Sequence, residues 1–165
     1  MATQLKNLSD FSATDIPSAA PYKFGIVVAE WNAEITGALY NGAYQSLINN
    51  GALPDNIYSY NVPGSFELTS GAELLFKNKP SLDAVICLGC VIQGETRHFD
   101  FICDAVANGI SNVAVKYSKP VIFGVLTTDN QQQAIDRAGG KHGNKGDEAA
   151  ITAIKMANLA EILKD

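Results

Sequence analysis

LGCVIQGETRHFDFI, residues 88–102, changes character midway. With the residues just before it, it opens as the apolar run DAVICLGCVI, the pattern of a parallel strand buried on both faces. From His98 onward the spacing becomes that of an amphipathic helix, with Ile102, Val106, Ile110 and Val113 in one stripe. The junction is GETRHFD. A strand that passes through a glycine turn into a helix leaves several backbone N–H groups without intrahelical partners, and the helix dipole makes that end favourable for an anion. One of the two histidines of the chain, His98, stands in this first turn. An imidazole, whose unperturbed pKa is about 6.5, beside an anion cradle suits proton transfer on a phosphorylated substrate.

The same strand-to-helix unit recurs on both sides. FGIVVA (Phe24–Ala29) predicts a strand, and Ile35, Leu39, Ala43 and Leu47 a helix that Gly51 stops. IYSYNV (Ile57–Val62) predicts a second strand, followed after Pro63-Gly64 by a helix over SFELTSGAELLFKN that Ser65 is placed to cap. PVIFGVLT (Pro120–Thr127) is the fourth strand, with a short helix to Arg137, a glycine-rich break GGKHGNKG and a last helix carrying Ile151, Ile154, Leu159 and Ile162. Four strands alternating with helices over short connections give an α/β fold: a three-layer αβα sandwich of the flavodoxin-like kind, with a four-stranded parallel sheet. Residues 1–21 have no sustained periodicity and are expected as an extended N-terminal arm, with residues 22–165 as a single domain.

The unusual residues follow the ends of the expected strands: Trp31 and Asn32 the first, Pro63 to Ser65 the second, Gly94 to His98 the third, Thr127 to Asn130 the fourth. In open parallel sheets ligands bind outside those ends. Trp31, the single tryptophan, joins no helical stripe, so either its own domain packs over it or a flat ligand or a partner covers it. Phe66 and Phe123 raise the same question. Asp100 and Asp104 lie close enough in sequence to hold the ring of His98. Arg137 and Lys145 flank a glycine-rich segment able to approach an anion closely, although solvated surface cations look the same. Glu67 and Asp129 suit a polyol or an amine, or simply face helix dipoles.

Composition excludes several classes. The 165 residues carry a net charge of −5, against the basic footprint of a nucleic-acid binder. No apolar run is long enough to cross a membrane and MATQLKNLSDFS does not read as a signal peptide, so the cytosol is the expected location. Cys87 and Cys90 are spaced like a redox or zinc pair, but the odd spacing within a strand sends them to opposite faces, and no other Cys/His cluster offers a four-ligand metal site. GNKG lacks the spacing of a P-loop and follows a helix.

Taken together, FGIVVAEWN, NVPGSFELT, LGCVIQGETRHFDFI, PVIFGVLTTDNQQQAIDRAGGKHGNKGDEAA and AIKMANL resemble the lumazine synthase family over about residues 22–160. The resemblance implies condensation of 5-amino-6-(D-ribitylamino)uracil with 3,4-dihydroxy-2-butanone 4-phosphate, releasing phosphate and water, with no metal or organic cofactor. It implies that Trp31 stacks on the pyrimidine. Asn32, Ser65, Phe66 and Glu67 would line the ring and ribityl pocket, with backbone contacts from Cys90, Val91 and Ile92. Gly94, Glu95 and Thr96 would form the phosphate turn, Arg137 would pair with the phosphate and His98 would be the acid/base. Phe123 and Lys145 would come from a neighbouring subunit. It also implies a homopentamer, in some members a sixty-subunit icosahedral shell, and association with riboflavin synthase. At position 31 the family often has Phe, and Arg97 and His142 carry no inherited role. A ribityl-ligand binding protein would share the stacking and polyol contacts but needs neither Arg137 nor His98, and a cage protein needs only assembly surfaces.

Overall fold

Burial on both faces is what keeps the apolar runs in a central sheet. A computed structural model describes residues 16–164 of the chain, and in it four parallel strands, β1 (Phe24–Ala29), β2 (Ile57–Val62), β3 (Ala84–Ile92) and β4 (Val121–Thr128), lie in the order β2-β1-β3-β4. The connections between them are α1 (Ala33–Asn49), α2 (Leu68–Asn78) and α3 (His98–Tyr117). Past β4 come α4 (Gln131–Asp136), the short strands β5 (Ala138–Gly140) and β6 (Gly143–Asn144), and α5 (Lys145–Ile162). The expected sandwich is therefore present, with its order reversing between β1 and β3, the crevice where such sheets hold ligands.

Alternation along the strands sorts the core into two layers. Ile26, Val28, Ile86, Leu88 and Cys90 meet α1 and α5, while Val27, Ala29, Val85, Cys87 and Val125 meet α2 and α3. Cys87 and Cys90 thus face opposite layers, as their spacing requires. Helices α1 and α5 touch closely because Gly146 has no side chain: a Cβ there would sit 1.9 Å from the carbonyl oxygen of Leu39. Gly51, at φ 96°, ends the α1 segment in the left-handed conformation glycine tolerates.

One local expectation gives way, and two segments gain detail. Ser65 does not cap α2: Ser65–Glu67 form a 3₁₀ turn, α2 starts at Leu68, and Ser65 is buried against Gly89, whose missing Cβ makes room for its hydroxyl. The glycine-rich break is a small antiparallel hairpin, β5–β6, with Gly139 and Gly143 at positive φ. Residues 16–21, assigned to the arm, run against the domain: Ala19 is fully buried and its N–H donates to the Asn50 carbonyl at 2.8 Å. Residues 1–15, the rest of that arm, lie outside the described residues.

Candidate active site

Loops leaving β1, β2 and β3 converge on a cavity of about 590 Å³. Trp31 and Asn32 enter it from the loop after β1, Ser65, Phe66 and Glu67 from the turn after β2, and Cys90, Val91, Ile92 and His98 from the end of β3 and the start of α3. Trp31 is 74% exposed and Phe66 56%, so two aromatic faces border the cavity without protein to cover them. Asn32 crosses the crevice, its Nδ2 donating to the Cys90 carbonyl at 2.9 Å. Burial pushes the Cys87 thiol up to about 12 and the Cys90 thiol to about 11, so neither is a thiolate nucleophile near neutral pH.

Gly94, Glu95 and Thr96 form the exposed turn between β3 and α3. The backbone N–H groups of Gly94 to Arg97 donate to no acceptor among the described residues, and a Cβ on Gly94 would meet open space. That leaves an unencumbered set of donors at the N-terminus of a long helix. The imidazole of His98 forms no hydrogen bond among the described residues. Asp100 pairs with Arg97 at 3.7 Å and Asp104 does not reach the ring, so the expected carboxylate support for His98 is missing.

Arg137 lies elsewhere. It lines a second cavity of about 430 Å³, with Lys141, His142 and Lys145, beyond the end of β4. Its guanidinium donates to the His142 carbonyl at 2.9 Å and to Glu148 Oε1 at 2.8 Å, and Lys145 Nζ donates to Glu148 Oε2 at 3.0 Å. The β5–β6 hairpin makes this grouping by bringing the Lys145 N–H back to the Arg137 carbonyl. Thr128 Oγ1, which lines the same cavity, is buried without a hydrogen-bond partner among the described residues. Phe123 borders neither cavity; it sits in mid-β4 opposite Cys87, 36% exposed on an edge strand. Within one chain the expected residues thus divide, with His98 at one cavity and Arg137 and Lys145 at the other, while Gly94 to Thr96 and Phe123 line neither. Glu148, which answers both cations, is absent from the expected set. Its signal was the Lys145–Glu148 spacing of three in the first turn of α5, a pattern common on any helix surface.

Among the described residues no three His, Cys, Asp or Glu side chains gather as a metal site, and no helix is long and apolar enough to cross a membrane. The sequence model of the 6,7-dimethyl-8-ribityllumazine synthase family matches residues 21–161. The chain belongs to that family. Among proteins named 6,7-dimethyl-8-ribityllumazine synthase, that of Cytophaga hutchinsonii is 64% identical over 94% of this chain and 97% of its own length. The Flavobacterium johnsoniae protein is 55% identical over 98% and 84%, and the Parabacteroides distasonis protein 54% identical over 97% and 99%. Membership of the lumazine synthase family makes the chain a transferase of riboflavin biosynthesis that acts on small molecules.

Proposed function

We propose that the chain joins 5-amino-6-(D-ribitylamino)uracil to 3,4-dihydroxy-2-butanone 4-phosphate, giving 6,7-dimethyl-8-ribityllumazine, phosphate and water. The observation that carries this reading is the cavity at the β1–β3 crevice, whose lining includes an uncovered tryptophan face and His98, with the open N–H turn of Gly94 to Thr96 immediately before His98 in the chain. Trp31 and Phe66 take the flat heterocycle, Asn32, Ser65 and Glu67 its polar edge and ribityl chain, and the backbone of Cys90, Val91 and Ile92 its ring atoms. The substrate brings its own amine nucleophile, so the protein has only to position the reactants and move protons. The amine attacks the ketone and loses water to form an imine. Phosphate leaves, and ring closure with loss of a second water completes the product, with His98 passing protons at these steps.

The amides of Gly94, Glu95 and Thr96 hold the phosphate together with Arg137. Because Arg137 and Lys145 share one cavity and His98 lines another, the complete site takes Arg137, Lys145 and Phe123 from an adjoining copy. A homopentamer supplies that copy, alone or as one of twelve in a shell, in the cytosol and in association with riboflavin synthase. Incubating the protein with both substrates tests the reading: lumazine fluorescence should rise with stoichiometric phosphate release. A chain that binds the ribityl compound yet forms no lumazine is a binding protein instead.

A further inference from the structure

Asn32 occupies the left-handed region, at φ 62° and ψ 46°, where crowding of Cβ excludes most residues and asparagine is among the few tolerated. Its side chain does not cap α1. The Asn32 carbonyl accepts the N–H groups of Ile35 and Thr36, at 2.9 and 3.0 Å, and the amide is turned away to Cys90, 58 residues along the chain. The sheet explains why that carbonyl needs a donor. In β3 the N–H groups of Val85 and Gln93 go to Pro120 and Thr128 on the β4 side, so alternation turns the backbone of Cys90 toward β1. Pairing of β1 with β3 ends at Val28 and Leu88, and the next free N–H groups of the β1 strand, on Glu30 and Trp31, go to Val62 and Pro63 on the β2 side. At Cys90 the backbone ladder has run out, and the Asn32 side chain supplies the missing rung.

We infer that Asn32 is a positioning residue of the proposed site: its amide clamps the Cys90 carbonyl and so fixes the Cys90–Ile92 backbone relative to the ring of Trp31. A carbonyl can only accept, which sets the orientation of the amide: Nδ2 lies on Cys90 and Oδ1 makes no hydrogen bond among the described residues. The inference rests on the reading that a heterocycle lies between Trp31 and the end of β3.

Two variants separate the clamp from the backbone conformation. Asn32→Gly keeps the left-handed turn and removes the amide, while Asn32→Asp keeps the size and sets a carboxylate against a carbonyl. Trp31, the only tryptophan, reports binding through quenching of its emission by 6,7-dimethyl-8-ribityllumazine. Both variants should bind this product roughly five- to tenfold more weakly, the scale of one hydrogen bond, and residues 90–93 should exchange their amide hydrogens faster. The KM for the aminouracil should rise while the KM for the ketone phosphate stays unchanged. Should Asn32→Asp fail to fold, Asn32→Gly decides alone. Product affinity at the wild-type level in Asn32→Gly overturns the inference, as does unchanged exchange at 90–93. A wild-type protein that neither forms nor binds the lumazine removes the functional reading itself, and with it any role of Asn32 in placing a heterocycle.

Discussion

His98 is exposed at the first residue of α3 and its imidazole forms no hydrogen bond among the described residues, so its replacement tests chemistry more than stability. His98→Ala should slow lumazine formation by roughly 10²- to 10⁴-fold, the usual scale for one acid/base group, with an unchanged melting temperature. Turnover at the wild-type rate would take the imidazole out of the mechanism. Arg137→Ala removes a charge-assisted contact of about 1.5–3 kcal/mol, and the KM for the ketone phosphate should rise at least tenfold while aminouracil binding is kept. Steady-state kinetics with each substrate varied in turn distinguishes the two. Trp31, Asn32, Ser65 and His98 were marked in the sequence because they follow apolar runs that read as strands, whereas Cys90, Val91 and Ile92 lie within such a run and were marked only by the family resemblance. The failures have physical causes. Asp100 is two residues beyond His98, and side chains two apart on a helix do not face each other. Glu148 reaches Arg137 only because a glycine-rich hairpin folds the chain back on itself, a tertiary pairing that the glycines alone do not specify.

At the scale of elements, the contact of α1 with α5 carries the most pointed expectation. Gly146→Ala drives a methyl group into the Leu39 carbonyl and should cost about 1–3 kcal/mol or more, seen as a lower urea midpoint with the same slope. Gly37→Ala, on the same α1 but with open space around its Cβ position, should stabilise by about 0.5–1 kcal/mol. Asp147, in the first turn of α5, accepts from Ser46 Oγ at 3.2 Å, yet burial outweighs that bond and holds its carboxyl above the ordinary value of 3.8. A raised carboxylate pKa means the fold disfavours the charged form. The penalty is nil below pH 3.8, where Asp147 is protonated folded or unfolded, and grows as the pH rises through the folded pKa. Asp147→Asn should therefore gain in melting temperature relative to wild type between pH 4 and pH 7. A constant difference across that range would contradict the assignment. The strands and long helices of these layers were legible because burial on two faces leaves unbroken apolar runs, whereas the start of α2 was not: a 3₁₀ turn packed on Gly89 replaces the capped start that Ser65 suggested.

For the whole molecule, the separation of His98 from Arg137 makes a prediction about mixtures. If a complete site takes one group from each of two copies, His98→Ala subunits, slow in turnover, and Arg137→Ala subunits, weak in ketone phosphate binding, should regain activity at a ketone phosphate concentration well below the Arg137→Ala KM when unfolded and reassembled together. Random pairing in a closed ring restores about a quarter of the sites. No recovery in assemblies shown by mass spectrometry to contain both subunits would mean that each chain completes its own site. The pairing of Glu148 with both cations bears on the single chain as well. With Arg137 and Lys145 already answered by a carboxylate, the lone chain is a poor trap for small anions, since any stray anion must first contend with Glu148.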